Sequence, residues 1–143
     1  GRAGDDDAAA VRAIATSLGV SDAVEVTGAL GEGGYRERLR TTSVAVQLRV
    51  MSNGEWSAAL GDCLTAGVAT LATEAGANRE IPPGAVRLVA PGAAPAVVAR
   101  ELVSLLGDGA ARARLGEAAR RFAAGRTFDV CAAALYASLP SPG

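Results

Sequence analysis

The chain has 143 residues, the length of a single domain, and is long enough to bury a core of useful size. Its residues are 50% hydrophobic but only 3% aromatic, which is typical of a globular protein and excludes disordered and fibrous classes. The 14 basic and 15 acidic residues leave a net charge of −1, so we expect no nucleic-acid partner. Every basic residue is Arg, which fits a GC-rich genome, and we expect a bacterial source.

Two cysteines and no histidine limit the chemistry that these residues can supply. Cys63 and Cys131 lie far apart inside apolar helical patterns, so we expect two small buried side chains rather than a disulfide or a zinc site. Without His, the chain cannot supply a histidine-based triad or general base. No apolar run approaches the ~20 residues that span a bilayer and no leader pattern is present, so we expect a cytoplasmic protein.

Apolar periodicity alternates between helix and strand along the chain. The run Asp5 to Asp7 leads into a helix that Gly19 ends, and a glycine-rich loop occupies Gly28–Gly34. Further helices are predicted at Tyr35–Arg40, Glu55–Ala66, Ala94–Leu106, Ala110–Ala123 and Thr127–Leu139. Strands are predicted at Ala23–Thr27, Ser43–Leu48, Val68–Thr73 and Ala85–Ala90, a loop or single turn at Glu74–Gly84, and a loose tail at Pro140–Gly143.

Strands that alternate with helices at short spacing predict right-handed βαβ units. The fold class is therefore α/β, a Rossmann-like doubly wound parallel sheet with C-terminal helices, in one domain over residues 1–143. Because the pattern opens on a helix, we expect the first, central strand to be missing and Gly1–Gly4 to be the turn after it. The neighbours of that strand would be Ala23–Thr27 and Val68–Thr73.

The sharpest candidate site is the segment Asn53-Gly54-Glu55-Trp56-Ser57, between a buried strand and a predicted helix. Ligands of open α/β sheets bind at this edge, and a helix N-terminus offers free N–H groups to a phosphate or diphosphate. Glu55 and Asp62 are seven residues apart, so two helical turns would place both carboxylates on one face, where they could accept hydrogen bonds from vicinal hydroxyls. The alternative is a favourable first-turn acid and a solvated surface residue.

Other features carry weaker signals. Asp5 to Asp7 match the bare Asp-x-Asp pattern of some metal-dependent glycosyltransferases of another fold, but acids that complement a helix dipole explain them better. The Gly28–Gly34 loop lacks the dinucleotide-binding spacing, and it is either a lip beside a ligand or a surface loop. Trp56 either covers a ligand or packs at the start of the helix.

The order of these pieces resembles the C-terminal half of retaining GT-B glycosyltransferases of family four, also called group 1. The segments that carry the likeness are Leu18-Gly19-Val20, Val24-Glu25-Val26-Thr27-Gly28, Val44-Ala45-Val46-Gln47-Leu48-Arg49, Asn53 to Gly67, and Gly76 with Arg79-Glu80-Ile81. The likeness covers nearly all of the chain and is strongest from Asn53 to Gly67.

The resemblance implies roles for individual residues. In that family the segment carries two acids, usually Glu-x7-Glu, the first at hydroxyls of the donor sugar and the second at the ribose; here they would be Glu55 and Asp62. The spacing is one residue shorter, and Asp has a methylene less of reach. The other implied donor-binding residues are Asn53, Gly54, Trp56, the amides near Ser57 and Ala58, Arg49 at phosphate or sugar, and Gly33 near the base.

The implied reaction transfers a sugar from a nucleoside diphosphate-sugar to an acceptor hydroxyl with retained configuration, without a metal or another cofactor. Helix N-termini and cationic side chains would then stabilise the diphosphate. The acceptor site belongs to an N-terminal domain, and the family's Arg and Lys that neutralise the leaving diphosphate normally precede the region where this chain begins, so we expect this chain alone to be inactive. Peripheral membrane association of the intact enzyme stays open.

Two alternatives remain. One is half of a GT-B nucleotide-sugar 2-epimerase, an enzyme expected to use His, which this chain lacks. The other is a non-catalytic nucleotide-binding or interaction module. Neither the sugar, the base nor the acceptor follows from the sequence.

Overall fold

The computed structural model describes residues 5–49 and 53–139. The chain divides into two compact units, Gly1–Arg38 and Leu39–Gly143. The predicted turn at Gly1–Gly4 and the predicted tail at Pro140–Gly143 lie outside the described residues. Among the helices of the described part, none combines the length and the apolar character needed to cross a membrane.

The first unit is built on helix α1, Asp5–Ser17, followed by a 3-10 turn at Ser21–Ala23. The turn begins after Gly19, whose φ of +67° suits glycine at a helix end. Ala15 is the one buried hydrophobic residue of this unit within the described part of the chain. Three apolar side chains of the predicted helix face are exposed instead: Val11, Ile14 and Leu18.

The predicted strand Ala23–Thr27 is wrong, because its first residue belongs to the 3-10 turn and residues 24–28 form no ladder. Alternation of side chains is not sufficient for a strand, which needs a neighbouring backbone to hydrogen-bond. Helix α2 spans Glu32–Thr41 and is longer than predicted. It includes Gly33 and Gly34, so the second half of the glycine-rich segment is helical rather than a loop.

The second unit contains a three-stranded parallel sheet with strands β1, Val44–Gln47, β2, Ala69–Thr73, and β3, Arg87–Val89. All residues of the central strand β2 are buried, as expected for a parallel strand covered on both faces. These three strands confirm the corresponding predictions, and the helices that flank them confirm the α/β, Rossmann-like fold.

The neighbours of β2 differ from the prediction. We expected a missing central strand between Val68–Thr73 and Ala23–Thr27, but β1 pairs directly with β2, with Val46 opposite Leu71. β3 pairs with the other edge of β2. The three-stranded sheet is consistent with a Rossmann-like fold that lacks a strand, while β1 rather than Ala23–Thr27 satisfies the backbone groups along this edge of β2.

The described part of the second unit also contains four whole helices, α3, Ala58–Ala66, α4, Pro95–Gly107, α5, Gly109–Ala124, and α6, Phe128–Ser138, and a 3-10 turn at Gly76–Glu80. Each of the four matches a predicted helix, although α3 begins three residues later than Glu55.

Two apolar clusters lie on opposite faces of β2, since Ala72 belongs to one and Ala69 to the other and side chains alternate along a strand. The first cluster joins β2 to Leu60 and Leu64 of α3, and the second joins it to Leu105 of α4. Helix α5 contributes to both clusters.

Helix α5 runs antiparallel to α3. A Cβ added at Gly116 would lie 2.2 Å from the carbonyl oxygen of Gly67, so the two backbones touch where α3 ends. At the other end of α3, Trp56 contacts Phe122 of α5. Because Gly116 has no side chain, α5 lies close against the end of α3, and Phe122 further along α5 contacts Trp56 just before α3 begins.

The two cysteines differ. Cys63 on α3 is buried, as predicted, and burial raises the pKa of its thiol. Cys131 on α6 is exposed, so the prediction of a buried side chain is wrong there. The reason is that α6 presents its side chains to solvent along its described length.

Candidate functional site

The site forms where β1 and β2 end. Arg49 follows the last residue of β1 closely, and its backbone N–H donates a 2.9 Å hydrogen bond to Oγ1 of Thr73. Thr73 is the last residue of β2 and is 3% exposed. This bond anchors Arg49 at the carboxyl edge of the sheet, the edge at which open α/β sheets bind ligands.

The guanidinium of Arg49 reaches the start of α3. Its Nη1 lies 2.6 Å from Oε1 of Glu55, and its Nη2 donates to Oγ of Ser57 at 3.3 Å. Ser57 is the N-cap of α3, and the same Oγ accepts from the N–H of Leu60. One cation thus bridges the end of β1, a carboxylate and the cap of a helix.

Glu55 is held by backbone donors as well as by the arginine. Its Oε2 accepts a 2.7 Å hydrogen bond from the N–H of Asn53. Hydrogen bonds from the backbone N–H groups of Glu55 and Asn53, and then the charge of Arg49, hold the pKa of this carboxyl below its ordinary value. Glu55 is therefore ionised at neutral pH and accepts hydrogen bonds rather than donating a proton.

A cavity of about 160 Å³ adjoins Arg49 at the same edge of the sheet. Thr73 and Arg49 supply its polar wall, and the segment before α4 supplies an apolar wall that includes Gly92 and Ala93. Gly92 has a φ of +70°, which favours glycine and turns the chain from β3 toward α4. The cavity thus has one cationic and one apolar side.

Trp56 points away from this cavity toward α5. Its ring centroid lies 6.1 Å from that of Phe122, with 43° between the planes. The guanidinium carbon of Arg126 lies 4.6 Å from the Phe122 centroid and 5.9 Å from that of Trp56. Of the two predicted roles for Trp56, these contacts correspond to packing at the start of the helix.

The structure brings most of the predicted site residues together in the second unit: Arg49, Asn53, Gly54, Glu55, Trp56, Ser57 and Ala58. Gly33 lies in α2, within the first unit. Asp62 is exposed on α3, but Glu55 precedes the N-cap of that helix, so the argument that both acids share one helical face does not hold.

Sequence reasoning missed Thr73, Phe122 and Arg126. The position of Thr73 at the end of a predicted strand was a usable signal, because polar residues there face the ligand edge. Phe122 and Arg126 gave no local signal, since they reach Trp56 only through the antiparallel packing of α5 on α3.

The acidic run of the first unit begins α1, which suits its interpretation as dipole-complementing charge. Within residues 5–49 and 53–139, no three His, Cys, Asp or Glu side chains converge as they would around a metal ion.

No protein-family model matches the chain, and no curated protein matches it.

Proposed function

We propose that this chain is the donor-binding part of a glycosyltransferase that moves a sugar from a nucleoside diphosphate-sugar to an acceptor hydroxyl with retention. The observation that carries the proposal is the bridge from Arg49 to Glu55 and Ser57 at the carboxyl edge of the sheet. The resemblance of residues 53–67 to family-four transferases supports the same assignment.

The site has the charges that such a donor requires. The amides of Ala58 and Ala59 occupy the first positions of α3, where N–H groups lack intrahelical acceptors, and Arg49 adds a guanidinium beside them. Together they would attract the diphosphate and stabilise it as the leaving group. In the structure, Nη1 of Arg49 donates to the carboxylate of Glu55.

A bound diphosphate would therefore compete with Glu55 for Arg49. Once a phosphate oxygen takes the guanidinium donor, an oxygen of Glu55 is released to accept from a sugar hydroxyl. The ionised state of Glu55 suits this role, because a carboxylate accepts hydrogen bonds at both oxygens. Asp62, exposed on α3, would bind the ribose.

Titration with nucleoside diphosphates and their sugar conjugates tests donor binding. Trp56 is the only tryptophan and adjoins Glu55, so its fluorescence reports occupancy of the site. We expect one nucleoside diphosphate to bind and Arg49→Ala to weaken it roughly 10-fold or more, since a hydrogen bond to a charged group contributes ~1.5–3 kcal/mol. Arg121→Ala is the control, because that exposed side chain pairs with Glu117 on α5. Absence of binding by any nucleotide would contradict the proposal.

In the enzyme with its acceptor domain, Glu55→Ala should lower kcat/KM more than Asp62→Ala. A contact at the reacting sugar strengthens in the transition state, whereas a ribose contact binds the donor uniformly. Equal losses confined to KM would show that Glu55 is not at the sugar. The chain alone should release no diphosphate from a panel of nucleotide-sugars.

A non-catalytic interaction module is the second candidate, favoured by the exposed apolar side chains of α6. Phe128 is 95% and Tyr136 81% exposed. Contiguous patches of exposed apolar side chains are typical of interaction surfaces. If the titration finds no nucleotide binding, this candidate replaces the first.

A further inference from the structure

The indole of Trp56 is held on three sides. On one side lies the first turn of α3, where a Cβ added at Gly61 would be 3.0 Å from Nε1 of Trp56. On another lies the ring of Phe122, which packs against the apolar cluster shared by α3 and β2. Arg126 covers both rings, and its Nη1 lies 3.6 Å from Oε2 of Glu80. Glycine at position 61 leaves room for the indole.

The segment that Trp56 anchors carries the candidate site. Asn53, Gly54 and Glu55 are exposed, Trp56 keeps 38% of its surface exposed, and Ser57 is buried as the cap of α3. Trp56 is the large apolar side chain between Glu55 and Ser57, and its ring contact with Phe122 joins this segment to α5. In this backbone conformation one oxygen of Glu55 accepts from Arg49 and the other from the N–H of Asn53.

We propose that Phe122 and Arg126 are positioning residues, which hold Trp56 on α5 and thereby fix Glu55 against Arg49 and the N–H of Asn53. They contact the anchor rather than the ligand. As far as ligand binding is concerned, the inference rests on the function proposed above. The end of α5 thereby sets the position of Glu55 at the carboxyl edge of the sheet.

Three variants and one control test the inference in the full chain. Phe122→Leu keeps an apolar side chain but removes the aromatic face, Arg126→Gln removes the cation, and Arg126→Lys restores it. Arg121→Gln on the same helix is the matched control, since its partner is Glu117 and it lies outside the Trp56 contacts. Far-UV circular dichroism verifies folding; if Phe122→Leu unfolds, the two Arg126 variants decide the question.

The first readout needs no ligand. In wild type, the backbone amide signal of Asn53 should follow the titration of Glu55 and exchange slowly with solvent, because the two are hydrogen-bonded. In Phe122→Leu and Arg126→Gln the pH-dependent shift should shrink and exchange should accelerate, with the single indole N–H signal of Trp56 moving as well. Arg126→Lys should recover part of both effects, and Arg121→Gln should match wild type.

The second readout is affinity for the nucleoside diphosphate that binds best. We expect binding to weaken roughly three- to ten-fold in Phe122→Leu, the range set by an aromatic pair. Arg126→Gln should weaken it roughly two- to five-fold, as for an exposed cation–π contact. If wild type binds no nucleotide, the proposed function fails while the Asn53 amide still decides the positioning role. An Asn53 amide that behaves as in wild type in both variants overturns the inference.

Discussion

Helices α3 and α6 are capped in the same way, but α3 buries side chains in the core and α6 exposes its side chains to solvent. Ser57 caps α3 by accepting from the N–H of Leu60, and Thr127 caps α6 by accepting from the N–H of Val130. Yet Leu60 is fully buried, whereas the first residue of α6, Phe128, is 95% exposed. Capping and apolar content therefore do not decide burial in this chain.

The difference lies in what the chain places opposite each helix. Gly67 ends α3 in a left-handed conformation, with φ of +72°, and directs the chain straight into β2, so α3 folds back on the sheet. Helix α5 then covers its other side. Helix α6 follows α5 closely along the chain, and its described side chains stay exposed. In the described part of the second unit, the helices with buried side chains, α3, α4 and α5, each pack on the sheet and on another helix.

The largest effect should come from shortening a buried side chain of α3. Leu64→Ala should lower the free energy of unfolding by ~2–5 kcal/mol, because it opens a cavity in a fully buried position. The equivalent change on α6, Leu135→Ala, should cost less than ~0.5 kcal/mol, since that side chain is 66% exposed. Urea denaturation measures both. Similar losses would show that α6 is packed in solution.

The contact between α5 and α3 should be nearly as sensitive. Gly116→Ala would place a methyl group 2.2 Å from the carbonyl oxygen of Gly67, so the helices must separate. We expect a loss of ~1–3 kcal/mol, typical of an overpacked core. Gly107→Ala, at the end of α4, is the control because nothing lies within 4 Å of the added carbon. A Gly116→Ala variant that is as stable as wild type would mean that the crossing is looser than described.

The two caps provide the closest test of the comparison. Ser57→Ala should lower the free energy of unfolding by ~0.5–2 kcal/mol, because α3 unfolds with the core. Thr127→Ala removes the same kind of bond from α6 and should leave the main unfolding transition unchanged, while reducing helical content slightly. Thermal unfolding followed by circular dichroism distinguishes them. Equal shifts of the transition would show that α6 unfolds together with the sheet.

The smallest effect concerns pH. Because the pKa of Glu55 is lowered in the folded chain, its stabilising contribution is fully present above the unfolded value and is lost as pH falls through the folded pKa. Arg49→Ala should move the titration midpoint of Glu55 only part of the way toward the ordinary value, since backbone N–H donors remain. Carboxyl NMR titration measures this midpoint. A full return to the ordinary value would make Arg49 the main cause.

Much of the fold followed from periodicity. Strands β1, β2 and β3 and helices α3 to α6 match predicted segments, because an apolar alternation bounded by Gly or Pro has few other interpretations. Ala23–Thr27 failed because its alternation has no neighbouring backbone to pair with in the described part of the chain. The pairing of β1 with β2 was also missed, since strand order depends on contacts remote in sequence.

The features of the candidate site also differ in how far the sequence predicted them. Local pattern was sufficient to predict that Asn53 to Ser57 lie between a strand and the start of a helix, whereas Arg49 was named through the family resemblance; ligand binding by these residues stays a prediction. The prediction that Glu55 and Asp62 share one helical face was wrong, because α3 begins at Ala58 rather than at Glu55.

Packing was needed for everything that joins distant segments. The bond from Arg49 to Thr73, the turning of Trp56 toward Phe122 and Arg126, and the exposure of α6 have no counterpart in any short stretch of sequence. The physical reason is range: caps and periodicity arise from neighbours along the chain, whereas burial and side-chain direction depend on which surfaces meet after folding.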